Sequence, residues 1–325
     1  MLSINHDGGG IGTRWNPCRA RLNTLANVEH SRRMRIVSFG ERGMEQAGVL
    51  STDGLSIFPL TTLDPKLPSN VRALIAGNHL PRVAVLGQHA EQTREHGIPL
   101  AQVRLGPPIT DPSKIICIGL NFKGHATEQG KSWPLEPLLF AKAPTALCGP
   151  TDDIILPADD CGPDYEVELV AVIGQRTRNV LRHNALDYVA GYFVGNDVSG
   201  RRWQKSDGQF FRGKSCDSFF PCGPAMVTAD EINDLSALHL TTRIGDDLLQ
   251  DATAADLIHD VPALIAYISR FMTLEPGDLI STGTPAGVGC YRTPPRFLQP
   301  DDIVTCTIDG PLQLGRLNNR VVAGI

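Results

Sequence analysis

The chain has 325 residues, a formal net charge of −5 and 20% charged residues, a balance that gives nucleic acid or an anionic membrane nothing to grip through bulk charge. With 42% hydrophobic residues it can bury a large core, and no apolar run nears the ~20 residues that span a bilayer, so neither a nucleic-acid nor a membrane partner is expected. Eight cysteines are scattered without a CxxC pair, which points to reduced thiols rather than a disulfide framework.

Residues 1–33 are glycine-rich, show no strong period and precede a second methionine, Met34. They read as a disordered extension, or as sequence upstream of a start at Met34, which gives a cytoplasmic address. The alternative is a targeting segment with a mitochondrial address, since five arginines stand against two acidic residues. From Met34 to Leu60 the chain reads as short strands broken by Gly and Asp-Gly turns. Residues 69–78 and 82–97 read as helices, and a proline-punctuated linker closes a small N-terminal α/β module over 34–108. A larger domain is expected over 109–325.

That domain opens with the apolar strand KIICIGLNF and the polar stretch KGHATEQGKSWPLEP. Strands then dominate: LLFAK, YEVELVAVIG, VAGYFVGNDVS, AMVT, LTTRI and IVTCTID. One helix is expected over 254–272, where Leu257, Val261, Leu264, Ile265, Ile268 and Met272 keep near-helical spacing. The sum is a β-rich α+β fold with polar clusters at strand ends.

The run DYEVELVAVIG, Asp164 to Gly174, places Glu166 and Glu168 where the chain enters its core. Side chains alternate along a strand, so both carboxylates share one face, some ~6–7 Å apart. Val170 and Val172 continue that face, while Val167, Leu169, Ala171 and Ile173 line the other, the pattern of a strand covered on both sides. Two ionised carboxylates there cost several kcal/mol unless a cation compensates; alone, the pair reads first as a solvated strand end flanked by arginines. Asp197 ends another apolar strand, and meets the pair if the two strands are neighbours. Three carboxylates with positions left for water suit Mg²⁺, and no His/Cys cluster argues for zinc.

Taken in order, GLNFKGHATE, DYEVELVAVIG, VAGYFVGNDVSGRRWQ, RGKSCDSFFPCGP and FMTLEPGDLISTGTPAGVG resemble the fumarylacetoacetate hydrolase family from about Lys114 to Asn319. The CYRTPPRFLQPDD segment is similar to the eukaryotic domain-containing type. The resemblance implies the family's mixed β-sandwich roll and a homodimer. It also implies a divalent cation, Mg²⁺ or else Mn²⁺ or Ca²⁺, on Glu166, Glu168 and Asp197. His125 and Glu128 match a dyad that, in hydrolytic members, orients and deprotonates water, a task suited to an imidazole held by a carboxylate at i, i+3. The run after it matches a lid that orders on ligand binding. Lys214 matches a lysine that stabilises a developing enolate or carboxylate, and Lys142 one at the pocket rim, where a snorkelling lysine is the alternative. Gln204 matches a substrate contact, and Gly283 and Thr284 a loop that binds substrate carboxylate. Arg201 and Arg202 in SGRRWQ depart from the acidic residue that many members carry ahead of the Trp-Gln pair.

The implied substrate is a small 2-oxo or 1,3-diketo acid that reacts through an enolate. C–C hydrolysis ranks first because the dyad is intact, and oxaloacetate tautomerisation or decarboxylation follows. The altered SGRRWQ run favours a third reading, a specialised protein with a bulky substrate or no catalysis.

Overall fold

The alternation in Val167–Ile173 sets the architecture. In a computed structural model that describes residues 34–324, this strand is buried along its whole length. Val167, Leu169, Ala171 and Ile173 enter one hydrophobic cluster, while Val170 and Val172 enter a second on the opposite face. The expectations for residues 1–33 lie outside the described residues.

The strand sits near the middle of an eleven-stranded sheet. On one side it pairs antiparallel with Val189–Asn196, Val167 facing Asn196 and Glu168 facing Gly195. On the other it pairs antiparallel with Leu279–Ser281, which runs parallel to Ile115–Gly119. The expected strand Leu138–Lys142 closes that edge. Towards the other edge come Phe220–Thr228 and then Arg35–Phe39, Gln46–Leu50, Ser56–Pro59 and Ile98–Pro99, so residues 34–108 extend the same sheet. A five-stranded sheet carries His239–Ile244 and Ile303–Asp309, both expected, together with Asp247–Thr253, Gly315–Ala323 and Ile154–Leu156. The fold is β-rich α+β.

The helices at Val71–Ala76 and Leu80–Thr93 fall where their spacing predicts. The long helix expected over 254–272 is shorter: it runs Val261–Ser269, begun by the Asp260 side chain accepting from Ala263 N at 2.9 Å. An N-cap followed by Val261-Pro262 is a start signal that overrides the apolar spacing of Leu257. Leu257 instead forms an isolated antiparallel bridge with Phe122. Among the described residues no helix is long and apolar enough to cross a membrane, and the seven described cysteines are free thiols.

Candidate active site

Strand pairing brings the three predicted carboxylates together. Asp197 N donates to Glu166 O at 2.8 Å, and Glu166 N donates to Asn196 Oδ1 at 2.9 Å. Glu166, Glu168 and Asp197 are all buried, and one oxygen from each lies within 4.8 Å of the others. The solvated alternative for Glu166 and Glu168 is thereby excluded.

Like charges at this spacing need compensation. Lys214 Nζ donates to Glu166 Oε2 at 2.6 Å and Asp197 Oδ2 at 2.7 Å. Lys142 Nζ donates to Asp197 Oδ1 at 2.7 Å and Val198 O at 3.2 Å. Arg201 pairs with Glu166 Oε1 at 2.6 Å and Asp164 Oδ2 at 2.9 Å. Burial works against ionisation of Glu166, but Arg201 and Lys214 outweigh it and hold its carboxyl down at about 2. Glu168 is treated differently: burial, then the charges of Asp197 and Glu166, push its carboxyl well above the ordinary range. Its hydrogen bonds, from Ser281 Oγ at 2.6 Å and Gly283 N at 2.9 Å, both fall on Oε2. The cluster therefore still lacks positive charge beside Glu168. Three hard oxygen donors and no nitrogen or sulfur donor fit Mg²⁺, Mn²⁺ or Ca²⁺ better than a softer ion.

The dyad forms on the short helix Lys123–Glu128. His125 is buried, its Nδ1 2.5 Å from Glu128 Oε1, and Glu128 Oε2 accepts from Gly287 N at 2.9 Å. Gly287 has φ +101°, and a Cβ there would stand 2.0 Å from Leu249 O, so only glycine brings this amide to the dyad. Gln129 Nε2 lies 2.8 Å from His125 Nε2. An amide nitrogen can only donate, so His125 Nε2 accepts and Nδ1 carries the hydrogen facing Glu128.

His125, Glu166, Glu168, Lys214 and Thr284 line one cavity of about 450 Å³, walled by Ile118, Phe140, Phe210, Tyr291 and Phe297. Lys142 is neither at the rim nor snorkelling: it is buried behind Asp197 and does not line the cavity. The Gly283 amide serves Glu168, and Thr284 Oγ1 donates to Val167 O at 2.9 Å while accepting from Gln250 Nε2 at 2.8 Å. Gln204 lines the cavity and accepts from Arg201 Nη1 at 3.2 Å. Within the expected lid segment, Trp133 and Leu135 are exposed, and Pro134 O faces His259 Nε2 at 3.1 Å.

Four residues of the site were not anticipated. Arg201, taken only as a departure from a motif, is the counter-ion of Glu166 and Asp164. Asp164 is fully buried and accepts from Arg201, Tyr165 N, Gly289 N and Cys290 N, tying the wall that carries Tyr291 to the carboxylate cluster. Ser281 and Gln129 complete the list. A buried Glu-x-Glu demands nearby cations, and that demand was the signal for Arg201, four residues after Asp197.

Fold and site together define a β-rich α+β enzyme with a candidate divalent-cation centre inside its pocket. The chain matches the family model described as fumarylacetoacetate (FAA) hydrolase C-terminal over residues 114–322, and it belongs to that family. It is 39% identical over 300 residues to a Xenopus laevis protein named oxaloacetate tautomerase fahd2, mitochondrial, covering 89% of this chain and 90% of that one. It is 38% identical over 313 residues to the Rattus norvegicus oxaloacetate tautomerase Fahd2a, mitochondrial, covering 94% and 98%. Among solved structures, fumarylacetoacetate hydrolase from Exiguobacterium antarcticum superposes with a TM-score of 0.76 at 34% identity, over 90% of this chain and 100% of that one. A maleylpyruvate hydrolase from Sphingobium sp. SYK-6, in complex with manganese(II) and pyruvate, gives 0.73 at 34% identity, again over 90% and 100%.

Proposed function

We propose that this chain is a Mg²⁺-dependent tautomerase that interconverts the keto and enol forms of a small 2-oxo acid of the oxaloacetate type. The observation that carries the reading is the conjunction of three buried carboxylates within 4.8 Å, two of which, Glu166 and Glu168, line the cavity, with an imidazole on the same cavity whose Nε2 accepts and whose Nδ1 is held by Glu128. The ranking of tautomerisation above C–C hydrolysis, the reverse of the expectation from the dyad alone, is supported by the curated relatives at 38–39% identity over most of both chains.

Glu166, Glu168 and Asp197 would hold the cation, which would supply Lewis acidity that lowers the cost of enol formation. His125 Nε2 takes a proton from C3 once Gln129 gives way, and returns it to oxygen. Glu128 fixes the tautomer and shares the positive charge on the ring while it lasts. Burial works against the charge on Lys214, but Asp197 and Glu166 outweigh it and push its proton affinity up; Lys214 therefore acts as a fixed positive charge and not as a base. The aromatic walls keep bulk water from the reacting carbon.

C–C hydrolysis is the second reading, favoured by the maleylpyruvate hydrolase neighbour; there His125 Nε2 would draw its proton from water. The two separate in one assay with Mg²⁺: equilibration of enol oxaloacetate faster than cleavage of any acylpyruvate supports tautomerisation, and the reverse order supports hydrolysis. The relatives' names and the arginine-bearing residues 1–33 support a mitochondrial address, tested by import of a fluorescent fusion of that segment. The family resemblance supports a homodimer, tested by sedimentation.

A further inference from the structure

One face of the molecule leaves large apolar side chains in solvent. Leu181 and Leu186 lie at the turn Arg182–Tyr188, and Phe271 and Met272 follow the helix Val261–Ser269. Trp133 and Leu135 lie in the segment 132–137. All six are exposed, Leu135 by 97%. Contacts join the three pieces. Residues 179–182 and the helix enclose an open groove of about 460 Å³, with Ala263 and Ala266 on its helix side. Tyr267 also lines the groove; its ring meets Phe271 edge to face at 5.0 Å, and its hydroxyl donates to Glu136 Oε2 at 3.3 Å. At ~150–200 Å² for a whole large side chain, the six expose on the order of 600 Å² of apolar surface. That is the upper end of what a monomer leaves in one patch, and it matches the apolar share of the ~800 Å² that each partner gives to a standard interface.

The face also specifies its occupant. Two copies related by a two-fold axis set the same patch against itself, so each feature needs its complement within one copy. Here both halves are present. The groove is a hole, and the exposed Phe271 and Leu135 are knobs. Arg270 is exposed and has no acidic partner among the described residues; its guanidinium lies over the Tyr267 and Phe271 rings, 6.0 and 5.4 Å from their centroids. Glu136 is exposed and has no cationic partner among them, accepting only from Tyr267. An unrelated partner needs one half of each pair; a second copy needs both. The same face adjoins the catalytic cavity, which Lys131 and Leu138 line. Between those two, residues 132–137 are tied down among the described residues by the Tyr267–Glu136 bond and by Pro134 O facing His259 Nε2 at 3.1 Å. So few bonds give a segment low local stability.

We infer, resting on the homodimer proposed above, that a second copy docks on this face across a two-fold axis with Arg270 of each copy against Glu136 of the other. Docking pins residues 132–137, so the wall of the cavity between Lys131 and Leu138 is complete only in the dimer.

Sedimentation velocity and hydrogen exchange on the full chain test it. The wild type sediments as a dimer. Glu136→Arg and Arg270→Glu each weaken dimerisation about a hundred-fold, because the two-fold axis turns two opposite-charge contacts into two like-charge ones. The Glu136→Arg/Arg270→Glu double variant regains the wild-type affinity to within about ten-fold. Arg270→Glu leaves both hydrogen bonds of residues 132–137 in place, yet in its monomer the amides of Ser132 to Glu136 exchange about ten-fold faster than in the wild-type dimer. A monomeric wild type removes the homodimer itself. Single variants as dimeric as the wild type keep the homodimer and remove this face. A double variant that regains nothing, or monomers whose amides exchange as slowly as the dimer's, also overturns the inference. Neither read-out uses turnover, so a protein that dimerises through this face without equilibrating oxaloacetate keeps the interface and loses the tautomerase reading.

Discussion

Replacing Glu168 by glutamine removes one charge from the cluster at almost constant shape. The carboxylate oxygens lie within 4.8 Å of one another, and two unit charges at that distance repel by about 3.5 kcal/mol at an effective dielectric of about 20. Ionised Glu168 faces two such neighbours, a repulsion of about 7 kcal/mol before Lys142, Lys214 and Arg201 offset most of it through Glu166 and Asp197. The amide oxygen of a glutamine can still accept from Ser281 Oγ and Gly283 N. Metal-free Glu168→Gln is therefore expected to melt at or above the wild-type temperature, with a gain of up to about 2 kcal/mol. Mg²⁺ at a hundred times its Kd stabilises the wild type by about 2.7 kcal/mol, which for a chain of this size raises Tm by roughly 4 °C; in the variant the rise falls below about 1 °C. Differential scanning calorimetry in EDTA and in Mg²⁺ reads both numbers. A metal-free variant that is more than about 2 kcal/mol less stable, or one that keeps the full Mg²⁺ shift, refutes the reasoning.

Further outcomes follow from the same geometry. His125→Ala should lower oxaloacetate tautomerisation by about 10²–10⁴-fold and leave the Mg²⁺-induced Tm shift intact, which separates the base from the carboxylate cluster. The raised Glu168 carboxyl competes with the cation for its oxygen, so Mg²⁺ affinity by calorimetry should weaken as pH falls, by up to about ten-fold per unit below that carboxyl's pKa. In the metal-free chain the sign is opposite: the stability from protonated Glu168 is complete below its ordinary value of 4.5 and is lost as pH rises through its raised value, so Tm in EDTA should fall with rising pH relative to Glu168→Gln. Burial pushes the Cys290 thiol up to about 12, so at about pH 8 roughly 10⁻⁴ of it is thiolate and iodoacetamide should inactivate the enzyme no faster than it labels a buried cysteine; rapid loss of activity with Cys290 modified contradicts this. Asp164→Ala strands Arg201 and the Gly289 and Cys290 amides, so urea melts should show a loss of about 3–5 kcal/mol.

What the sequence disclosed and what it hid divide along local and non-local lines. Alternation is local, so the shared face of Glu166 and Glu168 and the two-sided burial of Val167–Ile173 could be read directly. The i, i+3 meeting of His125 with Glu128 needed only one helical turn. The meeting of Asp197 with the other two carboxylates depends on Val167 pairing with Asn196, a register that no spacing specifies. Lys142 ends an apolar strand, and whether such a lysine snorkels or stays buried depends on the carboxylate behind it, which is Asp197. The strand Gly315–Ala323 was overlooked because its sequence, GRLNNRVVA, is polar; Asn319 is buried there, with Nδ2 donating to Gly149 O at 3.1 Å and Asp152 O at 2.7 Å. Periodicity finds apolar faces and passes over buried polar residues satisfied from distant loops.

The central claim is that the three-carboxylate cluster and His125 together drive keto–enol exchange. Stopped-flow absorbance of enol oxaloacetate, mixed with the Mg²⁺-loaded enzyme, tests it most directly. The account predicts rapid equilibration that EDTA abolishes and that is lost separately in Glu168→Gln and His125→Ala. Equilibration at the uncatalysed rate, or a fast rate that survives in EDTA, contradicts it.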